Sequence, residues 1–452
     1  MDNYQDNNMV NNDNSLLGFD YETTSNSIIK VIGVGGGGGN AVNHMYSIGI
    51  HDVSFALCNT DNQALKKSDI PCKIQLGKET THGLGAGNKP LIAKAAAEES
   101  IDEISMMLND GTRMVFITAG MGGGTGTGAA PIIAREAKNM NILTIGIVTI
   151  PFVFEGEKKI AQALEGVDEM SKNVDALLVI NNERLCTIYP DLTIFNAFGK
   201  ANDTLAVAAK SIAEIITVDG IINLDFNDVH TILKDGGIAI MSSGFGEGEK
   251  RVTKAIDDAL NSPLLNNTEV FGAQKVLFNI YFSENNPINM EEMKEITEFM
   301  RKFDNQIEVI WGTAVDNSLD GRVKLTLLAT GFGMSFTSDP SKYDKAAKSN
   351  KSETVKNNNK EEGKADLTSK IEEVYGSDVV EDIKASNARA AYYIFSMDDL
   401  DNDPLIEKVE HSPAYNRDKN FVRNVQPQLK TQVVEEKPVN NQNVEKSSII
   451  QF

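Results

Sequence analysis

Two glycine-rich turns constrain this chain more than any other feature, because each directly follows an apolar, strand-like run and each leads into a helix-like one. The first reads Ile29-Lys30-Val31-Ile32-Gly33-Val34-Gly35-Gly36-Gly37-Gly38-Gly39-Asn40, and the second Met114-Val115-Phe116-Ile117-Thr118-Ala119-Gly120-Met121-Gly122-Gly123-Gly124-Thr125-Gly126-Thr127-Gly128. A strand that ends in glycines at a helix start presents backbone N–H groups where the helix dipole is positive, a setting that suits phosphate. Glycine also lets a ligand reach the main chain with no Cβ in the way. Two such cradles point to one polyphosphate held from two sides. A flexible linker would account for Gly35–Gly39, but not for the flanking strand and the helix start at Asn40-Ala41-Val42-Asn43.

The pattern around these turns predicts an α/β fold. From about Ser27 to Ile216, apolar strands (Ile28–Val34, Val53–Asn59, Met114–Ala119, Leu143–Thr149, Ala176–Asn181) alternate with helical stretches (Pro90–Leu108, Pro131–Lys138, Lys158–Ser171), the signature of a Rossmann-like parallel sheet covered on both faces. Leu205, Ala208, Ala209, Ile212, Ile215 and Ile216 recur at helical spacing, so Phe195–Val218 reads as one long, buried central helix. Beyond Asp219-Gly220, the runs Gly237–Ser242, Lys275–Phe282, Gln306–Gly312 and Val323–Thr330 read as strands of a mixed sheet carrying helices Lys250–Asn261 and Met290–Phe303, a second, α+β domain. The expected division is a disordered arm at 1–27, a ligand-binding domain at 28–194, the central helix at 195–218, the α+β domain at 219–337, a disordered linker at 338–447 and a short apolar docking peptide at 448–452.

Composition excludes several alternatives. A formal charge of −21 over 452 residues opposes general affinity for nucleic acid or anionic lipid. The three cysteines, Cys58, Cys72 and Cys186, show no metal-ligand spacing and fit reduced cytosolic thiols. The N-terminus has neither the basic nor the apolar part of a signal peptide, and Ile142–Phe154 is too short to span a membrane, so a cytoplasmic protein without membrane insertion is expected.

The turns leave the nucleotide chemistry open. Gly33-Val34-Gly35-Gly36-Gly37-Gly38 satisfies the dinucleotide fingerprint G-x-G-x-x-G, but Asp61 comes late for the acidic residue that closes the next strand, and such a fold has no use for a second turn as rich as Gly122–Gly128. A Walker motif with its phosphate-reaching lysine is absent, so phosphate would be held by main-chain amides and threonine hydroxyls.

Gly122-Gly123-Gly124-Thr125-Gly126-Thr127-Gly128 matches the GGGTGTG signature of the tubulin-like GTPases letter for letter. Its context resembles the bacterial cell-division branch of that family: Asn59-Thr60-Asp61, Lys89-Pro90, Phe154-Glu155-Gly156, Phe198-Gly199 with Ala201-Asn202-Asp203, and Asn223-Leu224-Asp225-Phe226-Asn227-Asp228-Val229, over about Ile28 to Gly333. The resemblance implies GTP as substrate and GDP as product. Its phosphates would be held by Gly36, Gly37, Gly38, Gly39, Asn40 and Gly122 to Gly128 (Gly122, Gly123, Gly124, Thr125, Gly126, Thr127, Gly128), with Asp61, Glu155 and Lys159 nearby, Asn182, Asn202 and Asp203 on the guanine, and Phe198 stacked on it. A carboxylate such as Asp203 can accept two hydrogen bonds from guanine N1–H and N2–H, a pair that adenine lacks. Asn182 alone reads equally well as a turn residue after a strand.

The resemblance further implies that the missing catalytic carboxylates, Asp225 and Asp228 with Asn223, act on the GTP of the neighbouring subunit, with Mg²⁺ in no dedicated protein cage but held mainly by the phosphates, Asp225 and Asp228 being candidate further ligands. By residue type alone, an acidic helix N-terminus is the better reading of Asp225 and Asp228; the resemblance turns the choice toward catalysis. Head-to-tail repetition of such a contact gives a filament, and the implied partners are further copies of the chain and, through the C-terminal tail, an actin-like membrane anchor such as FtsA at the mid-cell division site. Lys159 stands where the family usually has arginine, which leaves room for a GTP-binding scaffold without appreciable turnover.

Overall fold

In the computed structural model, residues 27–332 are described apart from 51, 190, 192, 219, 262–271 and 303–306, together with 368–381 except 373, and 406. The expected arm up to 26, most of the expected linker and the peptide 448–452 lie outside the described residues. The chain divides into two compact units, Met1–Gly363 and Lys364–Phe452. In the second, residues 368–372, 374–375 and 377–381 are helical.

The first unit begins with β1 (Ile29–Val34), α1 (Gly35–Ile48), β2 (Val53–Asn59), α2 (Asn62–Lys66), β3 (Cys72–Gln75), α3 (Lys78–Thr81), α4 (Pro90–Glu99) and α5 (Ile101–Leu108). It continues through β4 (Met114–Gly120), α6 (Thr125–Asn139), β5 (Leu143–Ile150), α7 (Glu157–Asn173), β6 (Ala176–Asn181), α8 (Asn182–Ile188) and α9 (Ile194–Thr217). The remainder is β7 (Gly220–Ile222), α10 (Phe226–Leu233), β8 (Gly237–Gly246), α11 (Arg251–Leu260), β9 (Lys275–Phe282), α12 (Glu292–Met300), β10 (Glu308–Val315) and β11 (Val323–Thr330).

The strands form one sheet in the order β3-β2-β1-β4-β5-β6-β8-β11-β9-β10-β7. The first six are mutually parallel, as the helical crossovers between them require. β8 continues the sheet through a short parallel pairing, Ala176↔Gly237 and Leu177↔Ile238, and beyond it the strands are mixed: β11 is antiparallel to β8 and β9, and β9 is parallel to β10. β4 and β5 are apolar almost throughout because helices cover both faces. One core cluster joins α1, β1, β5 and α9 to α10, with Leu205, Ala209, Ile212 and Ile215 of α9 against Val229, Ile232 and Leu233 of α10. A second lies between α11, α12 and the mixed sheet around Phe278, Phe299 and Leu327.

Four local expectations shift. α1 starts at Gly35 instead of Asn40, and α6 at Thr125 instead of Pro131, which sits inside the helix. Low glycine propensity and the preference of proline for a first turn argued for the later starts; packing of the glycines, described below, overrides both. The helix expected over Pro90–Leu108 breaks at Ser100, whose hydroxyl accepts the N–H of Gly77 at 3.0 Å. β8 runs on to Gly246 because Gly244 and Gly246 let α11 lie directly on it: a Cβ at Gly246 would stand 1.9 Å from the carbonyl oxygen of Arg251.

Candidate nucleotide site

The strand order 3-2-1-4-5-6 reverses its winding between β1 and β4, and ligands in such sheets bind outside the carboxyl ends of the strands at that reversal. Both glycine turns leave from there, the first from β1 into α1 and the second from β4 into α6. Neither helix has a side-chain cap, and neither has an acidic residue in its first turn. α4 and α11 share these features, whereas Asp61, Asn181, Thr193 and Asp225 cap α2, α8, α9 and α10. Two uncapped helix starts side by side therefore present N–H donors to an anion.

The glycines separate into two sets. Those of the first set are where the turns and their neighbours touch: a Cβ on Gly38 would meet the Thr118 carbonyl oxygen at 2.1 Å, one on Gly35 the Gly126 nitrogen at 2.9 Å, and one on Gly37 the Gly120 Cα at 3.3 Å. Gly126 and Gly128 are equally closed, against Gly120 O at 2.4 Å and Pro90 O at 2.1 Å, and Gly124 lies against Ala86 and Lys89. Gly122 combines φ +97 with the Lys159 carbonyl oxygen 2.9 Å from a Cβ position. At Gly36, Gly39 and Gly123 a Cβ would meet nothing within 4 Å. Among the described residues, no protein atom within 4 Å requires glycine there.

Other side chains hold this arrangement. The hydroxyls of Thr60 and Thr125 lie 2.7 Å apart, joining the Asn59-Thr60-Asp61 turn to α6, and Gly122 N–H donates to Thr127 Oγ1 at 2.9 Å. Gln162 of α7 donates to the carbonyls of Gly122 and Gly123 at 3.1 and 2.8 Å, which fixes the second turn from behind. Sequence reading missed Gln162. Its signal is a polar residue beside Ile160, Ala163 and Leu164, the buried face of α7.

Among the remaining predicted residues, Asn40 is exposed on α1, and Asp61 accepts the N–H of Gln63 at 2.8 Å as the cap of α2. Glu155 accepts the Phe152 N–H at 3.0 Å and pairs with Lys159 at 3.2 Å, so these two side chains hold each other. Asn182 opens α8 and is buried, yet its Oδ1 has no hydrogen-bond partner among the described residues. Phe198, Asn202 and Asp203 lie together in the first half of α9. Phe198 is 41% exposed and meets Phe152 and Phe154 edge-on, with ring centroids 5.1 and 6.4 Å away, which leaves its ring available for stacking. Asp203 Oδ1 lies 2.9 Å from His44 Nε2 of α1. His44 was also missed; its signal is its position one helical turn beyond Asn40, on the same face.

Asn223, Asp225 and Asp228 lie past the other end of α9. The 14 residues from Asp203 to Thr217 correspond to about 21 Å of helix, so the structure does not bring the acids to the glycine turns of their own chain. Asp225 and Asp228 cap α10 reciprocally: Asp225 Oδ1 accepts the N–H groups of Asn227 and Asp228, and Asp228 Oδ2 accepts that of Asp225 at 2.9 Å. The helix-start and catalytic readings are thus compatible, since the cap engages one oxygen of each and leaves Asp225 Oδ2 and Asp228 Oδ1 without partners among the described residues. Asn223 Oδ1 accepts the Gly220 N–H at 2.6 Å and shapes the loop. Among the described residues, no group of three or more His, Cys, Asp or Glu could hold a metal ion, and no helix is long and apolar enough to cross a membrane.

The family model for the GTPase domain of the Tubulin/FtsZ family matches residues 28–190, and that for the C-terminal domain of the FtsZ family matches 237–333. The cell division protein FtsZ of Porphyromonas gingivalis is 52% identical over 407 residues, covering 90% of this chain and 89% of that protein. The chain belongs to the FtsZ family. A third model, described as FtsZ, C-terminal, matches 387–432, a stretch expected to be linker and, except for 406, outside the described residues. FtsZ of Wigglesworthia glossinidia brevipalpis is 45% identical over 316 residues, 69% of this chain and 81% of that protein. Among solved structures, the empty FtsZ dimer of M. jannaschii has 39% identity and a TM-score of 0.63, covering 68% of this chain and 90% of that one. The GTPγS-bound protofilament of CetZ2 from Haloferax volcanii, at 19% identity and a TM-score of 0.58 over 67% of this chain and 92% of that one, shares the fold.

Proposed function

We propose that this chain is a GTP-hydrolysing cell-division protein that polymerises head-to-tail and hydrolyses GTP at the junction between subunits. Membership in the FtsZ family makes it a GTPase of bacterial division that assembles with itself. The observation that carries the mechanism is the placement of α9: the open glycine cradle and the acid pair stand at opposite ends of one helix, so a complete site requires two copies.

In this reading the uncapped N–H groups of α1 and α6 bind the phosphates over Gly36, Gly39 and Gly123, and the remaining glycines let the two turns close on each other. Phe198 stacks on the base, Asp203 accepts from its N1–H and N2–H, and the free Oδ1 of Asn182 takes a further donor. Lys159, beside Glu155, supplies a compact positive charge near the phosphates. From the next subunit, Asp225 and Asp228 use their uncommitted oxygens to orient a water toward the γ-phosphate, while Asn223 holds the loop. Mg²⁺, held by the phosphates with Asp225 and Asp228 as candidate protein ligands, would supply positive charge against the negative charge that develops during transfer. Loss of the γ-phosphate weakens the junction, so hydrolysis drives filament turnover.

The same reading makes the protein cytoplasmic and concentrated at the division site, tied to the membrane through an actin-like FtsA or a similar anchor that binds the tail. The match at 387–432 favours that stretch, which includes Asp399–Glu407, over 448–452 as the docking segment. The decisive measurement is GTP turnover per subunit against protein concentration with Mg²⁺ present. Turnover should rise above a threshold and vanish in Asp225→Ala while nucleotide binding persists. Turnover per subunit that is flat with concentration would overturn the shared site.

A further inference from the structure

We propose that His44 is a positioning residue that sets the guanine preference of the site by fixing the plane of the Asp203 carboxylate. The inference rests on the reading of Asp203 as the group that meets guanine N1–H and N2–H. To accept both donors, the two carboxylate oxygens must lie in the plane of the base. The terminal torsion of an aspartate is broad, so a free carboxylate on the surface of α9 samples many planes. Here His44 Nε2 stands 2.9 Å from Oδ1, and no other described side chain or backbone group engages Asp203.

His44 is itself well placed to act as a strut. It sits on α1 one turn beyond Asn40, on the helix whose N-terminus forms the first phosphate cradle, and α1 packs against α9. The contact therefore ties the base-reading group to the phosphate-binding helix. An ionised carboxylate has about four lone-pair sites on its two oxygens, so Oδ1 can keep the imidazole N–H and still receive a donor from the base. Immobilising the carboxylate before binding removes part of the ordering cost that the ligand would otherwise meet.

The second guanine hydrogen bond depends most on this plane, so hypoxanthine, which keeps N1–H but lacks the amino group, is the informative comparison. Diphosphates avoid turnover and filament growth. Calorimetric titration of nucleotide-free protein should show GDP bound about tenfold more tightly than IDP, the value of one hydrogen bond to a half-exposed charged group. In His44→Ala the preference should fall to about threefold or less, with IDP affinity within about twofold of the parent. His44→Gln, whose amide N–H reaches a similar position, should restore most of it.

An unchanged GDP/IDP ratio in His44→Ala, or equal weakening of both nucleotides, overturns the strut. Asp203→Ala separates this from the parent reading: a wild-type ratio in that variant removes Asp203 from the guanine site and the proposal falls with it. A ratio lost in Asp203→Ala but kept in His44→Ala refutes His44 alone. Melting temperatures of all variants report whether the fold is kept.

Discussion

The division of the glycines into closed and open sets predicts a double dissociation between stability and binding. Consider Gly38→Ala beside Gly36→Ala, two changes of one methyl group, two residues apart on the same turn. At Gly38 the new Cβ would stand 2.1 Å from the carbonyl oxygen of Thr118 and 3.2 Å from the Cα of Ala119. Both are backbone atoms of a central strand paired on both sides, so no side-chain rotation relieves the contact and β4 or α1 must move. Overpacking of this kind costs about 1–3 kcal/mol, and a backbone obstacle places Gly38→Ala at the upper end. For a unit of about 300 residues that is a fall in melting temperature of about 3–5 °C.

At Gly36 the Cβ meets nothing within 4 Å and the backbone is helical. Alanine in a helix is favoured over glycine by about 0.5–1 kcal/mol, so the ligand-free variant should melt no lower than the parent. Its methyl group occupies the space where phosphate would meet the main chain. Loss of one charge-assisted hydrogen bond there weakens GDP binding by about 10- to 150-fold. Differential scanning calorimetry without nucleotide, paired with titration of GDP, reads both effects. Full GDP affinity in a stable Gly36→Ala would refute the reasoning, because it would mean that the open side of the turn is not where the ligand lies.

The acid pair allows a similar separation. Asp225→Asn keeps an N-cap of comparable quality and Asp225→Ala loses about 1 kcal/mol of it, yet both should lower GTP turnover by about 10²–10⁴-fold at saturating protein; near-normal turnover in Asp225→Asn would reduce Asp225 to a cap. In the mixed-sheet region, Arg251 holds Glu292 through two hydrogen bonds at 2.6 and 3.1 Å, and these keep the Glu292 carboxyl below its ordinary value of 4.5. A lowered folded-state value contributes stability above the unfolded value that is lost as the pH falls through the folded one. Glu292→Gln should therefore melt below the parent at pH 7, by about 1 kcal/mol, and the gap should close well below pH 4.5; a gap that persists in acid would contradict the ion pair.

Much of the fold is legible in the sequence because its elements signal through different physics. β1, β2, β4 and β6 are apolar runs bounded by turns, and their expected limits differ from the observed ones by no more than a residue. α9 is set by its buried stripe. β3 and β7 escaped notice for a plain reason: with 4 and 3 residues, they are too short for a pattern of period two to stand out. The break at Ser100 was hidden because the hydroxyl that ends α4 answers an N–H at Gly77, 23 residues away in the chain. Gln162 and His44 were missed for the same reason, since both act on groups of other elements.

The glycines show where sequence reading reaches its limit and why. A run such as Gly35–Gly39 states only that a Cβ is unwelcome at each position, and two different neighbours impose that condition. At Gly35, Gly37 and Gly38 the neighbour is the second turn or the strand that bears it, so these residues serve the approach of β1–α1 to β4–α6. At Gly36 and Gly39 an added Cβ would meet no described protein atom within 4 Å, and in the proposed site the ligand would supply the reason for glycine. The open positions Gly36 and Gly39 are three residues apart and so share one face of α1, while Gly37 and Gly38 between them face the second turn and its strand. In the proposed site that open face of α1, with its first N–H groups, would meet the phosphates.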